Sequence, residues 1–338
     1  MDPVIEIRDL RKTYGPKVAV DGVSLAVGRG EIVGVLGPNG AGKTTLVECL
    51  AGVRRADSGS VRVLGVDPQR DPAAVRARLG MQLQEATLPA RLRVREALEL
   101  YAAFYPRPAD PAELMRLLGL TEKAGTAFGD LSGGQQQRLS IALALVGDPE
   151  IAVLDELTTG LDPQARRDTW GLIERVRDRG VTIVLVTHFM DEAERLCDRV
   201  VIVDRGRIVA SGTPRGLVQG DGDRRALRMR LPSGTPAEVA AEVAALPEVH
   251  ALTRVDSTGE IEVTGDGHVL PATILALSRH GVVPDDVRTL GRTLEDVFVA
   301  VTGADPSGAA PSQPPPSPHP GGPHPPSSHP TDHVEVRS

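Results

Sequence analysis

The sequence predicts an α/β protein: a parallel-sheet core carrying an antiparallel β subdomain and a helical subdomain, then a small α+β domain and a disordered tail. Three observations lead there. Two short apolar runs, Ile32-Val33-Gly34-Val35-Leu36 and Ile151-Ala152-Val153-Leu154, have the continuous hydrophobicity of strands covered on both faces. Residues 4–26 instead alternate apolar and polar, as antiparallel strands with one wet face do. From Ala304 the composition turns to Pro, Ser, Gly and His, including Pro314-Pro315-Pro316 and Pro325-Pro326, which cannot bury a core.

In chain order, the alternating hairpin region is followed by the apolar strand 31–36, a glycine-rich loop, and a helix over 43–50. Gly59-Ser60-Val61-Arg62-Val63 adds a strand. Residues 85–129 are largely helical in pattern and broken at Pro106-Arg107-Pro108, and a further helix begins near Gln135. Strands over 151–156 and 181–186 follow, then a helix after Thr187-His188 and a hairpin of 199–204 and 207–210 around Arg205-Gly206. Gly220-Asp221-Gly222-Asp223 reads as a linker. Beyond it, strands over 226–231, 249–255 and 260–264 with helices over 237–246 and 271–280 make the small α+β domain. The expected division is 4–219, with its helical subdomain at about 85–145, then 224–303, then the tail 304–338.

Chemistry is concentrated at two strand ends. Gly37-Pro38-Asn39-Gly40-Ala41-Gly42-Lys43-Thr44 fits the phosphate-loop pattern between a buried strand and a helix, where backbone N–H groups can wrap an anion. Lys43 is placed to neutralise the β- and γ-phosphates of a nucleotide. The Thr44 hydroxyl suits Mg²⁺, and Thr45 can reach an α-phosphate. The second strand ends in Asp155-Glu156, where Asp155 can hold Mg²⁺ through water and Glu156 can orient the water that attacks the γ-phosphate. Taken alone, the acids read equally well as a solvated strand end; beside Lys43 the functional reading is preferred.

With Leu131-Ser132-Gly133-Gly134-Gln135 lying between these motifs, the chain resembles an ATP-binding cassette (ABC) ATPase over about residues 4 to 215. The resemblance implies a P-loop NTPase cassette that binds ATP and Mg²⁺. It implies that Tyr14 stacks on adenine, that Gln84 senses Mg²⁺ and the γ-phosphate, and that His188 contacts the γ-phosphate. Thr159-Gly160-Leu161-Asp162 matches the loop that crosses between protomers, and Leu131 to Gln135 is the family signature. Ser132, Gly133, Gly134 and Gln135 open a helix, so they offer a second anion grip with a hydroxyl and free N–H groups. In the family two cassettes pair head to tail, each signature closing on the other's ATP, so a second ATP-binding subunit is implied, as a homodimer. Tyr14 alone reads more often as a hairpin aromatic, and His188 alone as a strand-end histidine with a structural hydrogen bond. Gln82 competes with Gln84 at a spacing of two residues; the later Val94-Arg95-Glu96 favours Gln84.

Thr293-Leu294-Glu295-Asp296-Val297-Phe298-Val299 resembles the C-terminal motif of daunorubicin-resistance-type exporter ATPases, and also reads as an amphipathic helix packing on its own domain. The family commonly has proline after the Asp-Glu pair; Leu157 stands here, which should loosen the backbone near Glu156 without removing a catalytic group.

Composition narrows the setting. With 338 residues and 41% apolar content the chain can hold two domains and a tail. A net charge of −7 gives little support to a nucleic-acid partner. Cys49 and Cys197 lack metal or redox spacing and read as buried or incidental thiols of a reducing compartment. The N-terminus is not a signal peptide, and no apolar run reaches the roughly 18 residues of a membrane span. The expectation is therefore a peripheral subunit on the cytoplasmic face of a membrane, working with a separate polytopic permease. The alternatives are a soluble ABC-type ATPase acting on DNA or ribosomes, and a binding-only regulator, which an intact Glu156 opposes. His319, His324, His329 and His333 form either a weak metal site or part of a solvated tail, the latter preferred for want of fixed geometry.

Overall fold

Alternation in the first 27 residues produces a hairpin, β1 (Ile5–Tyr14) and β2 (Lys17–Val27), turning at Gly15-Pro16. Its geometry comes from a computed structural model that describes residues 3–82, 88–219, 225–254, 260–290 and 293–303. Gln84, the linker 220–223, Val255 and the whole tail from Ala304 with its four histidines lie outside the described residues. After the hairpin come β3 (Ile32–Leu36), α1 (Lys43–Leu50), β4 (Ser58–Val63), the short α2 (Pro72–Arg76) and β5 (Leu79–Gln82). Strands β2-β1-β4 form an antiparallel sheet of their own.

The helical region consists of α3 (Val94–Ala102), α4 (Pro111–Leu117) and α5 (Gly133–Leu145), with the break at Pro106–Pro108 falling between the first two. β6 (Ile151–Asp155) then returns to the core. Residues 163–178, given no element from the sequence, form α6 (Pro163–Asp178), a helix of 16 residues. Its start is set by Asp162, whose carboxylate accepts the N–H groups of Gln164 and Ala165, and by proline at the first helical position. Thr169, Leu172, Ile173 and Val176 give it a buried stripe at helical spacing. β7 (Thr182–Val186), α7 (Met190–Leu196), β8 (Arg199–Asp204), β9 (Arg207–Gly212) and α8 (Pro214–Gln219) complete this part.

The main sheet has the order β5-β6-β7-β3-β8-β9, parallel except for the last strand. Its central strands are covered on both faces, as continuous hydrophobicity requires. Val33, Val35, Val153, Val184 and Val201 face a core shared with the antiparallel sheet and α1. Ile32, Leu36, Leu154, Leu185 and Ile202 face the other core, under the helical region. Both cysteines are buried and free, and burial pushes the Cys49 thiol up to about 11, which fits inert packing.

Beyond α8 lie β10 (Arg225–Arg230), α9 (Ala237–Ala244), β11 (Val249–Arg254), β12 (Glu260–Gly265), α10 (Val269–Arg279) and β13 (Asp285–Leu290). The antiparallel order β11-β12-β10-β13 with both helices between strands is a split β-α-β unit around its own core of Leu227, Met229, Val243, Ile261 and Leu277. The final helix, α11 (Leu294–Thr302), does not pack on that core. Leu294, Val297 and Phe298 join the helical-side core of the main sheet, beside α7, α8 and β9, and the Leu294 N–H donates to Glu194 Oε1 at 2.9 Å. An amphipathic stripe marks a face for burial without naming what covers it.

Phe298 is 1% exposed, so Phe298→Ala should destabilise the main core by about 3–5 kcal/mol, read as a lowered midpoint in urea unfolding.

Candidate functional site

The phosphate loop connects β3 to α1 with no spare room. A Cβ on Gly37 would fall 2.3 Å from the Val203 carbonyl oxygen. Gly42 has φ of 105° and lies against the Ala19 carbonyl, so only glycine fits there. The helix that follows has no side-chain cap, which leaves its first N–H groups to an incoming anion. Lys43 folds back over this loop, donating from Nζ to the carbonyls of Gly37 at 2.7 Å and Pro38 at 3.1 Å. Burial pulls its pKa below the usual lysine value, and the charges of Glu156 and Asp155 oppose that pull.

Asp155 ends β6 with 3% of its surface exposed. Burial, reinforced by the neighbouring Glu156, raises its carboxyl to about 6, while Lys43 works the other way. Its backbone N–H donates to Gln82 Oε1 at 3.2 Å, so the buried Gln82 acts as a strut between β5 and β6. Glu156 turns sharply out of the strand at φ of 48°, an uncommon conformation for a residue with a side chain. Its N–H still pairs with the Val186 carbonyl at 2.9 Å, and Leu157 behind it is wholly buried. His188, just past the end of β7, places Nδ1 3.5 Å from Glu156 Oε1.

These elements enclose a cavity of about 600 Å³ whose lining includes Tyr14, Asn39, Gly40, Ala41, Gly42, Lys43, Thr44, Thr45, Asp155 and Glu156. The size and convergent polar groups suit a small phosphorylated ligand. Tyr14 is 39% exposed at its rim, with Lys12 Nζ 5.6 Å and the Arg54 guanidinium 5.3 Å from the ring centroid. Lys17 and Ala19 also line the cavity, although neither stands out in the sequence. The signal for Lys17 is the two-residue turn, which pairs it directly with Tyr14.

Ser132, Gly133, Gly134 and Gln135 do not line this cavity. They start α5, with Ser132 Oγ accepting the Gln135 N–H and Gln135 Oε1 accepting the Ser132 N–H at 3.0 Å, a reciprocal cap. Asp162 is likewise engaged as the α6 cap, and its hydrogen bond from Ala165 holds its carboxyl below the usual range. The donor set suits a hard cation: an exposed Thr44 hydroxyl and a buried carboxylate beside a second acid, both on the cavity. Among the described residues no group of three or more His, Cys, Asp or Glu forms a metal site by itself, so phosphate oxygens would have to supply the remaining ligands.

Residues 20–159 match the ABC transporter family. Daunorubicin resistance ATP-binding protein DrrA3 of Streptomyces coeruleorubidus is 37% identical over 311 residues, covering 90% of this chain and 97% of the relative. The chain belongs to the ABC transporter ATP-binding family. The Nod factor export ATP-binding protein I of Burkholderia orbicola is also 37% identical, over 308 residues, 89% of this chain and 97% of the relative. Among solved ABC structures, an ATP-binding subunit of an ABC transporter superposes with TM-score 0.58 at 28% identity, covering 64% of this chain and 92% of that one. A dimeric post-hydrolysis ATP-binding cassette bound to ADP and phosphate gives 0.56 at 27% identity, covering 63% and 99%. Membership in the ABC family implies nucleotide binding and ATPase activity.

The raised Asp155 pKa has a testable sign. With a pKa near 6 in the fold and near 4 in an unfolded chain, ionised Asp155 costs stability that is fully present above pH 6 and vanishes below pH 4. Asp155→Asn should therefore raise the nucleotide-free melting temperature by about 2–4 °C at pH 7 and leave it unchanged near pH 4, by calorimetry across that range.

Proposed function

We propose that the chain is the ATP-hydrolysing subunit of a membrane exporter. The observation that carries this reading is the convergence of Tyr14, Lys43, Thr44, Asp155 and Glu156 on one cavity. In it, Tyr14 stacks on the adenine while the loop from Gly37 and Lys43 cradles the phosphates. Lys43 trades its two loop carbonyls for the β- and γ-phosphates. Thr44, Asp155 and Gln84 would hold Mg²⁺, which when bound would neutralise charge building on the phosphates. Glu156 orients the attacking water, and His188, 3.5 Å from it, contacts the γ-phosphate. Little covalent work is asked of these groups; positioning and charge carry the catalysis.

Ser132 to Gln135 and Asp162 serve a second copy in this reading. Their absence from the cavity of their own chain is what a head-to-tail homodimer requires, each signature closing on the partner's ATP. ATP closes the dimer and hydrolysis releases it, and that cycle drives a separate polytopic permease. Residues 4–219 form the ATP-binding domain with its helical subdomain at about 85–145, and residues 224–303 the accessory region whose last helix is seated on the cassette. Among the described residues no helix is long and apolar enough to cross a membrane; contact with the permease would put the subunit at the cytoplasmic face. The relatives named for daunorubicin resistance and Nod factor export support export as the direction. The permease, not this chain, selects the cargo.

Two measurements test this. Glu156→Gln should retain ATP binding while turnover falls by about 10²–10⁴, measured by phosphate release, and an unchanged rate would remove Glu156 from its role. Tagged Glu156→Gln protein, captured with ATP from detergent-solubilised native membranes, should bring down a stoichiometric polytopic membrane protein by mass spectrometry. Recovery only with ribosomes or DNA-bound proteins would replace the exporter with a soluble ABC ATPase.

A further inference from the structure

Glu192, in the first turn of α7, is fully buried and has no part in the reaction just described. A buried carboxylate needs donors, and three separate pieces of the site's frame bring donor groups near this one. Trp170 of α6 donates its indole N–H to Oε1 at 3.1 Å. The hydroxyls of Thr187 and Thr158 also favour the charged carboxylate, against a burial that pushes its pKa up. Thr187 immediately precedes His188, and its Oγ1 accepts the Phe189 N–H at 3.1 Å, so this one hydroxyl brackets the His188 backbone. Since Oγ1 accepts there, its proton is left for Glu192. Thr158 begins the stretch that leads from Glu156 to the α6 cap at Asp162. Glu192 Oε2 and Thr158 Oγ1 are both buried without a closed hydrogen bond.

We infer that Glu192 is a positioning residue for ATP hydrolysis: it orients the Thr187 hydroxyl, and through it the backbone that presents His188, and keeps an acceptor open for Thr158. This rests on the reading of Glu156 and His188 as hydrolytic groups. The carboxylate thus lies between the Thr158 side of the frame, which follows Glu156, and the Thr187 side, which precedes His188. A carboxylate is required because all three partners are donors; glutamine would set an NH₂ against hydroxyls that must donate.

The test compares steady-state ATPase kinetics and melting temperature of the full chain as wild type, Glu192→Gln, Thr187→Val, the double variant, and Glu156→Gln as control. Glu192→Gln and Thr187→Val should each lower kcat at least about tenfold with little change in KM, because orientation is lost and ATP binding is not. In the double variant kcat should fall no further than in the worse single, since both act through one contact. Wild-type kcat in Glu192→Gln beside an inactive Glu156→Gln, or losses that multiply in the double variant, would overturn this inference alone. Glu156→Gln at the wild-type rate would overturn the hydrolytic assignment and this inference with it. If Glu192→Gln does not fold, Thr187→Val decides, and wild-type kcat there would sink the proposal.

Discussion

Lys43 carries its charge where water does little for it, and what compensates is its own loop's carbonyls together with two acids from a distant stretch of sequence. That balance depends on the sheet. β3 delivers the lysine loop and β6 the acids, with β7 between them, so all three meet at the carboxyl ends of parallel strands. Open α/β sheets place their crevices there. The buried apolar strands are therefore also what sets the electrostatics. Burial first, and then the charge of Glu156, raise the Asp155 carboxyl, and Lys43 only moderates that rise.

The frame around Glu156 is built to hold an uncommon backbone. Its left-handed φ persists because its N–H continues the β6–β7 pairing on one side and Leu157 is locked in the core on the other. The leucine at this position thus supplies packing where a proline would supply stiffness. Gln82 fixes the preceding residue from the opposite edge.

Strands with continuous hydrophobicity and the loop with its lysine were legible in the sequence because burial on both faces and anion wrapping each demand a particular pattern. The helix α6 was harder to see: Arg166, Arg167, Asp168, Glu174, Arg175 and Arg177 crowd around its apolar stripe, although Asp162-Pro163 is a start signal that reads correctly once sought. β13 gave no signal, since five of its six residues are exposed and it lies at a sheet edge. Nothing in the sequence singles out Glu192, because a carboxylate's burial depends on what the remote Trp170 and Thr158 bring to it. The covering of α11 was invisible for the same reason.

That covering bears on how the chain is made. Leu294, Val297 and Phe298 fill the main core, yet they are synthesised after the entire split β-α-β unit. As the nascent cassette emerges, the apolar seat beside α7, α8 and β9 has no occupant of its own. The small sheet can close around its separate core while the larger one waits. Completion of the cassette is thereby tied to translation of nearly everything before the tail, and a chain cut short after α10 would leave that seat bare for other nascent chains or chaperones to find.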